Sequence, residues 1–125
     1  TKSFVTDIND VKFLQDLTKR VYIDNAIKKY IIAIIDATRH PERFLPPELA
    51  QYVTMGASTR GAIALMEVSK AMALMRGRHY VIPDDVRALI HSVLRHRITL
   101  NYAAVADGVS EERIIDAIVG AIQTP

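Results

Sequence analysis

The chain has 125 residues, 50% of them hydrophobic and 24% charged, with a formal net charge of +2 and no cysteine. That length holds one compact domain with a real core. The small, interspersed charge argues against a dedicated nucleic-acid-binding surface, and the lack of thiols excludes disulfides and Cys-based metal sites and fits a reducing cytoplasm.

No apolar run approaches the roughly 20 residues that span a bilayer. The opening Thr1-Lys2-Ser3-Phe4 has no initiator Met and no signal-peptide pattern, so it reads as a cut inside a longer protein. Helical periodicity then runs through most of the chain. A first helix from Asn9 or Asp10 to about Arg20 puts Val11, Leu14 and Leu17 on one face. Asp24 is placed to cap a second helix, with Ile27, Tyr30, Ile31, Ile34 and Ile35 at helical spacing. His40-Pro41 ends it, because the residue before a proline is pushed out of the helical region. The stretch from Pro41 to Gly56 is irregular, with a short helical turn expected after Pro46-Pro47.

Ser58 caps the longest helix, from about Thr59 to Arg76. Its apolar residues, Ile63, Leu65, Met66, Val68, Met72, Leu74 and Met75, leave only a narrow polar stripe of Arg60, Glu67 and Lys70. Such a helix is expected at the centre of a bundle. Gly77 ends it. Tyr80-Val81-Ile82 is an extended link, and Pro83 opens the next helix with Asp84 and Asp85 in its first turn. Val86, Leu89, Ile90 and Val93 form that helix's buried face. The segment from Arg97 to Asp107 has no clear signal. Gly108 and Ser110 introduce a last helix with Ile114, Ile115, Ile118, Val119 and Ile122 on its apolar side. The expected fold is all-α, a bundle of about five helices with a minor strand pairing in the linkers.

Three blocks are more specific: Gly56-Ala57-Ser58-Thr59-Arg60-Gly61, then Met75-Arg76-Gly77-Arg78-His79-Tyr80-Val81-Ile82-Pro83-Asp84-Asp85-Val86, then Val93-Leu94-Arg95-His96-Arg97-Ile98. In this order and spacing they resemble the C-terminal lid domain of the MoxR group of AAA+ ATPases. The resemblance runs from about Asp10 to the end, with residues 1–9 a linker from a core domain and 10–125 the lid. Two positions depart from the family pattern. Thr59 stands where a proline is usual, which the turn tolerates because proline only presets the backbone there. Ile82 stands where Thr or Ser is usual, removing a side-chain cap that Asp84 and Asp85 partly replace through the helix dipole.

Arg60 falls in the first turn of its helix, where a cation opposes the dipole. That placement makes sense if an anion arrives: a helix start offers free N–H groups, and arginine adds a fork of donors suited to phosphate oxygens. The resemblance implies that Arg60 is the sensor 2 arginine, reaching the γ-phosphate of ATP held by the core domain, with Ser58, Ala57 and Gly56 forming the turn beside it. Tyr30 and Ile31 read as core residues, with contact to adenine the alternative. ATP and Mg²⁺ are implied for the parent protein only. No G-x-x-x-x-G-K-[ST] occurs, so this stretch by itself is expected neither to turn over ATP nor to bind it tightly.

The resemblance further implies the chain's own AAA+ core, neighbouring subunits of a homo-oligomeric ring, a hexamer, and von Willebrand factor A-domain proteins as partners, in the cytoplasm. Arg95-His96-Arg97, Arg76 and Arg78 read as solvated helix ends. The four histidines show no metal-ligand spacing. The rival readings are a helical DNA-binding module, which needs a one-sided basic face, and a helical adaptor without a nucleotide link.

Overall fold

A computed structural model describes Lys12 and residues 16–125. The first half of the first expected helix, including Val11 and Leu14, lies outside the described residues apart from Lys12. Residues 16–19 are helical, and Tyr22 then makes an isolated parallel bridge with Tyr80.

Helix α1, Asn25–Arg39, begins where Asp24 accepts the Ala26 N–H at 3.1 Å. Ile27, Tyr30, Ile31, Ile34 and Ile35 are all buried on one side, as their spacing predicts. Each large aliphatic side chain taken out of water contributes about 1.5–3 kcal/mol. The helix stops at His40, and a 3₁₀ turn, Pro41–Arg43, follows. A short helix α2, Pro47–Ala50, forms after the proline pair and leads into strand β1, Val53–Met55.

Helix α3, Thr59–Met75, is the longest described element. It closes on Gly77 at φ 78°. The Gly77 N–H donates to the Leu74 carbonyl at 3.0 Å and the Arg78 N–H to the Ala73 carbonyl at 2.9 Å, the paired bonds of a Schellman ending. The buried face of α3 is made of small residues plus one leucine: Gly61, Ala62, Leu65, Ser69 and Ala73. Small side chains let α1 and helix α4, Pro83–Leu94, approach closely. The expectation of an α3 buried nearly all round is corrected here. Ile63 and Met75 are 56% and 82% exposed, because α1 and α4 cover only one side.

Helix α4 buries Val86, Ile90, Val93 and Leu94. Strand β2, Thr99–Leu100, pairs antiparallel with β1, Val53 opposite Leu100. Asn101 caps a short helix α5, Tyr102–Ala106, by accepting the Ala104 N–H at 3.1 Å. The Tyr52 hydroxyl donates to Asp107 at 2.6 Å, tying this segment to the 41–56 stretch. Gly108 turns the chain at φ 71°. Ser110 caps helix α6, Glu111–Ala121, whose Ile114, Ile115 and Ile118 are completely buried. His91 of α4 and Arg95, which caps its C-terminal end, reach Asp116 and Glu112 of α6 at 2.8 and 3.5 Å. The fold is all-α with a single small two-stranded ribbon among the described residues.

Candidate functional site

The segment between β1 and α3 is fixed by its backbone before any side chain acts. A Cβ on Gly56 would lie 2.1 Å from the Thr38 carbonyl oxygen and 2.6 Å from the Arg39 nitrogen. Only glycine permits that approach. The next N–H, of Ala57, donates to Thr38 Oγ1 at 2.9 Å, while the same hydroxyl donates to the Ile35 carbonyl at 2.6 Å. Ala57 is 1% exposed. Ser58 then accepts the Arg60 N–H at 3.2 Å and α3 starts at Thr59, so the absence of proline there does not disturb the turn.

Arg60 is exposed, and its guanidinium has no ion-pair partner among the described residues. No acid occupies the first turn of α3. Gly61, directly after it, is buried; a Cβ there would meet Ala57 Cβ at 3.2 Å and Arg97 Cδ at 3.3 Å. The Arg97 stem thus lies along the first turn of α3, with its guanidinium donating to the Val93 carbonyl at 2.8 Å. An open depression of about 390 Å³ is lined by Arg39, Met55, Gly56, Ala57, Ser58 and Thr59. The site is therefore a helix opening with arginines around it and, among the described residues, no carboxylate paired with Arg60, an arrangement that favours anions.

Gly56, Ala57, Ser58 and Arg60 come together at one place, but Tyr30 and Ile31 do not join them. Ile31 is wholly enclosed and Tyr30 is 3% exposed, so both are core residues. Tyr30 lies eight positions before Thr38 on α1, about 12 Å along the helix axis from the turn. Tyr30, whose buried hydroxyl is unpaired among the described residues, lines a separate hollow with Lys29, Ala33 and Phe44.

The reading of Arg76 and Arg78 as solvated helix ends is also corrected. Both converge on Asp85, whose side chain is fully buried. Arg78 donates through both terminal nitrogens at 2.6 and 2.8 Å, Arg76 through one at 3.2 Å, and the Ile82 N–H completes the set at 2.9 Å. Asp85 thereby supplies the N3 half of a capping box by accepting the Ile82 N–H, while the half that needs an N-cap side-chain acceptor stays unmade because Ile82 has none. Burial works against its charge, but the Arg78 and Ile82 hydrogen bonds and the nearby Arg78 and Arg76 charges outweigh that and hold the carboxyl below its ordinary range. The hydrogen bond from Arg78 to Asp85 is the main cause that raises the arginine's own pKa.

This clamp and Thr38 are the contributors that sequence reasoning missed. The acid two positions after Pro83 was a local signal for the clamp. Thr38 offered none, since its partner is 19 residues away.

The described residues form a small helical bundle with an exposed arginine at a helix opening, the architecture of a helical lid domain, and comparison with known proteins agrees with that class. The family model described as the AAA lid domain matches residues 49–118, more than half of the chain, and the chain belongs to that family, in its MoxR branch. Chaperone MoxR1 of Mycobacterium tuberculosis is 34% identical over 97% of this chain and 32% of its own length. The uncharacterized protein YeaC of Bacillus subtilis is 39% identical over 93% of this chain and 33% of its own. The crystal structure of a candidate ATPase of Cytophaga hutchinsonii superposes with a TM-score of 0.89 at 40% identity, covering 94% of this chain and 36% of that one. The chain thus spans about a third of the length of the relatives it matches. No described helix is long and apolar enough to cross a membrane.

Proposed function

We propose that this chain is the lid of a MoxR-type ring ATPase and that Arg60 is its nucleotide-sensing arginine. The observation that carries this reading is a guanidinium that is exposed and without an ion-pair partner among the described residues, in the first turn of a 17-residue helix with no acid in that turn. A cation there opposes the helix dipole unless an anion joins it. The γ-phosphate of ATP, held by the protein's core domain, is that anion. Arg60 donates to its oxygens and stabilises the charge that develops as the terminal phosphoryl group leaves. Water converts the terminal phosphoryl group to inorganic phosphate; once that ion leaves, Arg60 has lost its partner anion and the lid is free to reopen, so lid position follows the nucleotide.

Gly56, Ala57 and Ser58 act through the backbone, setting where Arg60 starts. In this reading Mg²⁺ belongs with the core domain, and this chain's contribution to the site is the positive charge of Arg60. The partners are the protein's own AAA+ core and the adjacent subunits of a homo-oligomeric ring, six in the full assembly, working in the cytoplasm with von Willebrand factor A-domain proteins. The Mycobacterium relative is a chaperone by name, which supports a chaperone-like role for the ring.

The test is Arg60→Ala in the full-length protein. Turnover of ATP should fall by at least about a hundredfold, while melting temperature and ring assembly stay as in the parent. Unchanged turnover removes Arg60 from the mechanism.

A further inference from the structure

The turn that presents Arg60 is anchored from outside its own helix. Resting on the reading of Arg60 as the nucleotide sensor, we propose that Thr38 is its positioning residue, a buried latch that joins the end of α1 to the start of α3 so that both move as one body.

Two contacts set the latch, one steric and one polar. The Gly56 backbone is pressed against the Thr38 carbonyl, so close that no Cβ fits between them. Beside it, Thr38 Oγ1 takes the Ala57 N–H at 2.9 Å while giving its own proton to Ile35 at 2.6 Å. Thr38 is completely buried and both roles of its hydroxyl are used. From Ala57 the chain needs only the Ser58 cap to reach Arg60. The hydroxyl therefore controls the height and tilt of the first turn of α3 relative to α1.

A side chain that reaches for a phosphoryl group held on another domain depends on that tilt. A misplacement of about 1 Å is enough to lower a rate by as much as about a hundredfold. Replacing the hydroxyl with a methyl leaves the Ala57 N–H buried without a partner, which favours local opening of the turn over wholesale unfolding.

The experiment uses the full-length protein carrying Thr38→Val, Thr38→Ser, Thr38→Ala, Arg60→Ala and the Thr38→Val/Arg60→Ala pair. Steady-state kcat and KM for MgATP are measured, together with amide hydrogen exchange over residues 56–61. Thr38→Val should lower kcat roughly tenfold, with a smaller change in KM, and Thr38→Ser should recover most of the loss. In the Arg60→Ala background Thr38→Val should lower kcat no further, because the latch acts through the arginine. Thr38→Ala, which removes the same hydroxyl without adding a group, should behave as Thr38→Val does.

Parental turnover in Thr38→Val and Thr38→Ala overturns the proposal, as does an equal fall with and without Arg60. If Arg60→Ala itself leaves turnover unchanged, the nucleotide reading fails, and the latch is judged by exchange alone. Amides of 56–61 exchanging about tenfold faster in Thr38→Val, with the rest of the lid unaltered, uphold it; equal exchange overturns it.

Discussion

The Asp85 clamp makes a quantitative prediction about what holds the lid in shape. In Asp85→Asn the side chain stays buried, but an NH₂ group now faces guanidinium donors. The Arg78 fork at 2.6 and 2.8 Å loses one of its two acceptors and the net charge that paired it. Removing one partner of a fully buried ion pair costs about 3–5 kcal/mol. Here the arginines are 19% and 43% exposed, so both recover part of their hydration. The expected loss is therefore smaller, about 2–3 kcal/mol, or a fall in Tm of about 10 °C for a domain of this size. Urea unfolding of the 125-residue chain and its variant measures it.

The pH dependence is the sharper check. Asp85 sits below its ordinary carboxylate range in the folded state, so its contribution is complete above the unfolded value near pH 4 and disappears as pH falls through the lower folded value. The stability gap between parent and Asp85→Asn should be flat from about pH 5 to 8 and close below about pH 4. A gap under about 0.5 kcal/mol at pH 7, or one that persists unchanged into strong acid, refutes the clamp as a source of stability.

Two other substitutions probe the turn beside Arg60. Gly56→Ala forces a Cβ onto the Thr38 carbonyl, 2.1 Å away; since backbone must move to admit it, the expected loss is about 3 kcal/mol or more, read from thermal melting. A cost under about 0.5 kcal/mol means that the turn is not docked on α1. Ser58→Ala removes the acceptor for the Arg60 N–H and should destabilise by about 1 kcal/mol, with Ser58→Gly costing only a few tenths. Equal chemical-denaturation midpoints for parent and Ser58→Ala argue against the cap.

The features legible in the chain itself are those whose partners lie within one helical turn. Asp24, Ser58 and Ser110 cap helices by accepting N–H groups two or three positions on, and His40-Pro41 and Gly77 stop helices by their own backbone preferences. Ile27, Ile31, Ile34 and Ile35 of α1 and Ile114, Ile115 and Ile118 of α6 mark core faces because their spacing repeats every turn. That is enough to define an all-helical bundle and to place Arg60 at a helix opening.

Side-chain spacing could not say which face of α3 would remain uncovered, since Ile63 and Leu65 differ only in where neighbouring helices lie. Nor could it foresee the pairing of Val53 with Leu100 or the folding back of residues 79–82 that brings Arg78 to Asp85. The meeting of Thr38 with Gly56 and Ala57 is of the same kind. Each depends on two stretches arriving in one register after the loops between them close. Loop closure is decided by the packing of the whole bundle, and no local propensity encodes it.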